Sequence, residues 1–154
     1  MKTSLAFALL AALALPAAAA DPDPDPATMA IVRDADLKWA DHPVAKGLSQ
    51  AVVYGDPSKP GMYVVRVKFA PGVMSPPHFH PEQRYVQVLK GTWWTGAGPK
   101  WDKQATTPLA VGSFATHFPN KIHYDGAKDE ETIVQISGIG PSGTTLVDES
   151  GKPQ

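Results

Sequence analysis

From about residue 50 onward, the apolar residues of this chain recur at every second position. Tyr63, Val65, Val67 and Phe69 alternate with Val64, Arg66 and Lys68. Only an extended backbone turns successive side chains to opposite faces, so this run describes a strand with one buried side. Tyr85-Val86-Gln87-Val88-Leu89 repeats the habit and stops at Lys90-Gly91, and Thr132-Ile133-Val134-Gln135-Ile136 does so before Ser137-Gly138. Turn clusters separate the runs: Gly55 to Gly61, Ala70-Pro71-Gly72, Gly96 to Pro99, and Asp125-Gly126. Proline removes a ladder donor and glycine supplies turn dihedrals, so short strands punctuated this way predict an all-β sandwich or barrel. Only Asp34 to Ala40 has room for a turn or two of helix. The tail after Gly143 is polar and is expected to be loose.

Ahead of the strands the chain carries an address. Lys2 precedes an uncharged Ala/Leu-rich run, Leu5 to Leu15, then Pro16 and an Ala18-Ala19-Ala20 cleavage site. This is the pattern of a secretory signal peptide over residues 1–20, too short for a spanning helix, which needs about 20 apolar residues. The expected mature protein is periplasmic or secreted, with no membrane span. It would begin Asp21-Pro22-Asp23-Pro24-Asp25-Pro26, a sequence that suits neither helix nor ladder. The expected organisation is therefore an Asp/Pro-rich leader and N-terminal segment at 21–47, one barrel at 48–140, and a tail at 141–154. Fourteen Lys+Arg against 15 Asp+Glu give a net charge of -1, which excludes an electrostatic nucleic-acid binder. The absence of cysteine excludes disulfides, thiolate metal sites and cysteine nucleophiles. Chemistry must come from His, carboxylates, Arg, hydroxyls and aromatic rings.

The stretch Gly72 to Tyr85 holds the best candidates. His78 and His80 are two apart, so on a strand both imidazoles point the same way and can share one ion. A third ring from a neighbouring strand would complete a three-His site with open positions, as catalytic metal sites have. His123 is the candidate. The ion would be one divalent transition metal: Zn, Fe, Cu, Mn or Ni. His117, six residues before His123, either lines the same cavity or is a hydrogen-bonded strand-end residue, the commoner role at such a position, and His42 reads as a solvated loop residue. Trp93 and Trp94 are adjacent, so one ring faces in and the other out.

The spacing then resembles that of the cupin family. Its first motif, Gly-x5-His-x-His-x3/4-Glu-x6-Gly, is matched by Gly72, His78, His80, Arg84 and Gly91, with Arg84 in place of the Glu. Its second, Gly-x5-Pro-x-Gly-x2-His, is matched by Gly112 and His123, with Phe118 and Asn120 at the Pro and Gly positions. Pro119 lies alongside, and Asn tolerates a left-handed turn. Tyr54-Gly55-Asp56-Pro57 and Gly138-Ile139-Gly140-Pro141 are similar to the flanks of small secreted, anti-sigma-factor-like single-domain cupins. The resemblance implies an all-β jelly-roll barrel holding the metal on His78, His80 and His123, often as a homodimer.

Arginine cannot ligate a cation and stays charged, so a buried Arg84 needs a partner. Three are open: Asp125, which shares strand parity with His123; Glu82; or an anionic substrate gripped bidentately. Some cupin thiol dioxygenases likewise lack the Glu, bind iron with three His and hold a substrate carboxylate with Arg. Glu82 or Gln83 is the alternative fourth ligand. These residues imply an exported mononuclear metal-binding cupin, an oxygenase, isomerase or lyase acting on a small anionic molecule. Asp125 and Tyr124 would be its proton-transfer groups and Arg84 its anion contact. The alternative is a non-catalytic periplasmic metal- or ligand-binding cupin.

Overall fold

The structure, a computed structural model, describes residues 23–43 and 45–154. The signal-peptide reading lies outside the described residues. The chain divides into two units, 1–31 and 32–154. In the described part of the first, the Thr28 and Met29 amides donate to the Asp25 carbonyl at 2.9 and 3.1 Å. The chain thus closes into a turn over residues 25–29.

The regular structure of the second unit is almost entirely strand. A 3-10 turn at Asp34–Asp36 is all the helix that forms where a turn or two was expected. The strands are β1 (Ala40–Asp41), β2 (Leu48–Tyr54), β3 (Gly61–Phe69), β4 (His78–Phe79), β5 (Arg84–Lys90), β6 (Trp93–Ala97), β7 (Thr107–Leu109), β8 (Phe114–His117), β9 (His123–Gly126), β10 (Thr132–Gly140) and β11 (Thr145–Leu146). They form two antiparallel sheets, ordered β1-β2-β3-β10-β5-β8 and β11-β4-β9-β6-β7. This is an all-β, single-domain jelly-roll barrel.

The alternation read from the sequence is the alternation observed. Tyr63, Val65, Val67 and Phe69 of β3 are buried, and they meet Val86 and Val88 of β5, Val134 of β10 and Trp93 of β6 in one apolar core. Each such side chain contributes roughly 1.5–3 kcal/mol by leaving water, which holds the two sheets face to face. β10 runs between β3 and β5, with Val134 opposite Val67 and Val88. That register aims one row of residues from each strand at the barrel interior.

The tail departs from expectation. Thr145 and Leu146 pair with Phe79 and His78, so β11 covers the open edge of β4. The Val147 amide donates to the Pro77 carbonyl at 3.0 Å, and Val147 is buried. An unpaired strand edge exposes donors and acceptors, and the returning tail satisfies them. The barrel therefore extends past residue 140, and the segment after Gly143 is structural.

Candidate metal centre

His78 of β4 is the cross-strand partner of His123 of β9, and their ring centroids are 4.4 Å apart. His80 brings a third ring to 4.8 Å from His78 and 5.0 Å from His123. All three are buried, and one ring nitrogen from each lies within 4.8 Å of the others. Convergence of these three residues is what the sequence predicted.

The backbone sets the tautomers. Nδ1 of His78 faces the Pro76 carbonyl at 2.7 Å, Nδ1 of His80 faces Gly143 at 2.7 Å, and Nδ1 of His123 faces Lys121 at 2.9 Å. A carbonyl only accepts, so each Nδ1 carries the proton and each Nε2 presents a lone pair. Metal-binding imidazoles are oriented in this manner by the hydrogen bond on the far nitrogen. Nε2 of His123 is buried and has no hydrogen-bond partner. Burial, aided by neighbouring His117, pushes the His123 pKa down to about 3, and burial together with Arg84 pushes His80 far below its ordinary range. Both rings are neutral at physiological pH, the form a metal requires. The donor set fits one divalent transition ion.

Asn120 supports the arrangement. Its φ of 58° is the left-handed turn expected at the position where the second motif has glycine, and its amide donates to the His80 carbonyl at 2.7 Å.

The Arg84 guanidinium is held by groups of the protein itself. Its Nε donates to Glu82 Oε1 at 2.7 Å; one terminal nitrogen donates to Nε2 of His80 at 3.1 Å; the other donates to Ser142 Oγ at 2.5 Å and the Gly143 carbonyl at 3.1 Å. Four of the five N–H donors are thus taken. The partner is Glu82 and not Asp125, because the turn after Pro81 folds residue 82 back onto the start of β5. Glu82 also accepts from the Tyr63 hydroxyl at 3.0 Å. Burial raises the Glu82 carboxyl, but the Arg84 contact outweighs it and holds the group below the usual carboxylate range. So engaged, Glu82 does not join the imidazoles as a ligand. Gln83 lies outside, donating to the Tyr85 hydroxyl at 2.6 Å.

Asp125 enters the site as its parity predicted. It is buried, its Oδ2 is 3.8 Å from Nε2 of His123, and Trp93 Nε1 donates to its Oδ1 at 3.4 Å. Tyr124 does not enter. His123 and Asp125 occupy the inner face, so the residue between them must point away. Its hydroxyl donates to the Asp102 carbonyl at 2.9 Å, and its ring covers Gly96, where a Cβ would lie 2.3 Å from it. Tyr124 is therefore withdrawn as a proton-transfer group.

Two histidines were underestimated. His117 makes no strand-end hydrogen bond: both ring nitrogens are buried without a partner, and its ring lies 3.7 Å from that of His123. His42 borders the cavity instead of standing in solvent. Their signal in the sequence was weak, since neither belongs to a spaced pair. Trp93 faces in and Trp94 out, under the Lys128 ammonium at 3.8 Å from its ring centroid. Tyr85 is exposed and stacks on Phe114.

Beside the imidazoles lies a cavity of about 430 Å³, whose lining includes polar His78, His80, His117, Arg84 and Asp125 and apolar Val65, Val67, Phe69 and Val134. It is large enough for a small organic molecule.

No protein-family model and no curated protein sequence matches this chain. Solved structures do. The polyketide cyclase RemF from Streptomyces resistomycificus superposes with a TM-score of 0.63 at 18% identity, covering 79% of this chain and 88% of that one. A cupin-2 domain from Rhodospirillum rubrum gives 0.61 at 16%, covering 80% and 82%. The DMSP lyase DddQ from Ruegeria pomeroyi gives 0.60 at 15%, covering 77% and 64%. A jelly roll of two antiparallel sheets, shared with these proteins, gives this chain the cupin fold. Within that fold it is a single-domain member with Arg84 at the motif's Glu position.

Proposed function

We propose that the protein is an exported, metal-dependent cupin enzyme acting on a small organic molecule in the barrel cavity. The observation that carries this reading is the set of three buried imidazoles with each Nδ1 tied to a carbonyl. Bound there, a divalent ion would supply Lewis-acid polarisation of a substrate oxygen. His78, His80 and His123 would hold it. Asp125 lies beside them and can hold or move a proton at Oδ2, within a cavity that the apolar wall keeps low in dielectric. That carboxylate favours isomerase or lyase chemistry, which moves a proton, among the reaction classes left open by the sequence. Enzymes of this fold named as a cyclase and a lyase support the same direction.

An anionic substrate was expected from Arg84. With four of its donors taken, Arg84 offers no bidentate fork, so a substrate carboxylate or carbonyl oxygen would bind at the ion instead. Glu82 neutralises Arg84 locally, and a bound ion would be the main positive charge in the cavity. A homodimer and a periplasmic location complete the proposal.

Untagged protein recovered from the periplasm should carry about one equivalent of a transition metal by elemental analysis. His78→Ala and His123→Ala should each lose it while the barrel stays folded, since its core is apolar. Full occupancy in either variant would refute the assignment. Tight zinc with no turnover of any carbonyl or carboxylate compound would instead support the non-catalytic reading.

A further inference from the structure

His117 presents a problem that the three-His site leaves unsolved. Its Cα is paired with that of Arg84 across β5 and β8, so both side chains face the barrel interior. Nδ1 and Nε2 of His117 are both buried and both without a hydrogen-bond partner. An imidazole always has one donor and one acceptor, and leaving either buried and unmade costs about 1–3 kcal/mol. Buried polar groups without partners are few in native proteins, so two on one ring call for an occupant.

The neighbours of the ring indicate which occupant. His117, His123 and Asp125 form a second group whose candidate ligand atoms all lie within 4.8 Å of one another. Nε2 of His123 is also unpartnered, and among the described residues the Asp125 carboxylate receives only the 3.4 Å bond from Trp93, at Oδ1. These atoms therefore lie close enough to meet at one ion.

We infer that His117 is a further ligand of the ion proposed for His78, His80 and His123, reaching it beside His123. This deepens the proposed metal site and rests on it. His117 has no carbonyl fixing its far nitrogen, unlike the other three rings, so either nitrogen can turn to the ion.

Cobalt(II) titration of the full-length protein tests this, with affinity read by chelator competition and coordination by visible absorption. His117→Ala should weaken cobalt binding by about 10-fold or more, comparable with or beyond the loss of a supporting contact around a metal site. It should also change the absorption bands. His117→Glu returns an oxygen donor and should recover most of the affinity with a shifted spectrum, whereas His117→Gln should not. This contrast decides the matter even if the alanine variant folds poorly, and apo melting curves of the Glu and Gln variants control for stability. Unchanged affinity and spectrum in His117→Ala, with binding abolished in His123→Ala, would overturn this inference alone. No cobalt binding by the wild-type protein would overturn it together with the metal site itself.

Discussion

Replacing Arg84 by Gln separates a structural arginine from one kept for a substrate. The side chains of Arg84 and Glu82 are only 12% and 10% exposed, and their contact is 2.7 Å. Removing the cation strands a buried carboxylate, which retains the Tyr63 hydroxyl and a long bond from the Gly143 amide at 3.4 Å. Ser142 Oγ and the Gly143 carbonyl lose a donor as well. Breaking a buried pair from one side costs about 3–5 kcal/mol. For a domain of this size, each kcal/mol lowers Tm by roughly 3–5 °C, so the expected drop is on the order of 10–20 °C. Calorimetry of the apo protein reads this directly. A double-mutant cycle with Glu82→Gln isolates the pair: the double variant should be less destabilised than the two single changes added, by about 1–3 kcal/mol. Metal affinity should hold or rise, because Nε2 of His80 is released. A Tm within a degree or two of wild type, or strict additivity in the cycle, would refute the structural reading and return Arg84 to a role in anion binding.

The other predictions are smaller. Buried neutral histidines make the apo protein sensitive to acid. The His123 pKa lies at about 3 against an ordinary 6.5, and His80 and His117 are lowered too, mainly by burial, so the unfolded chain binds more protons in that window. Stability should be full above about pH 6.5 and fall with decreasing pH by on the order of 1 kcal/mol per pH unit for each such group; an apo Tm that is flat from pH 7 to 5 would contradict this. Tyr124→Phe should leave metal content and any turnover intact, losing about 1 kcal/mol for the bond to Asp102, as chemical denaturation would show. Deleting residues 144–154 should unfold the protein or release its metal, because β11 and buried Val147 leave with it; unchanged metal content in the truncated chain would show the tail to be dispensable.

Much of the site was legible because it depends on local periodicity. Parity along a strand aims His78 and His80 together, places Asp125 with His123, and turns Trp93 away from Trp94; the same rule excluded Tyr124, although the expectation had included it. Asn120 at a glycine position announced its own left-handed turn. The partner of Arg84 was narrowed to three candidates and no further, since the choice between Glu82 and Asp125 turns on how the chain bends after Pro81. His117 and the C-terminal strand were misread for a different reason. His117 meets His123 because β8 pairs with β5 and β9 with β4, and Thr145–Leu146 meets His78 across more than sixty residues of chain. A period of two states which face a residue takes but carries no information about which strand lies beside it. That pairing is decided only when the two sheets close on a common core, where each edge must find the partner that satisfies its backbone groups.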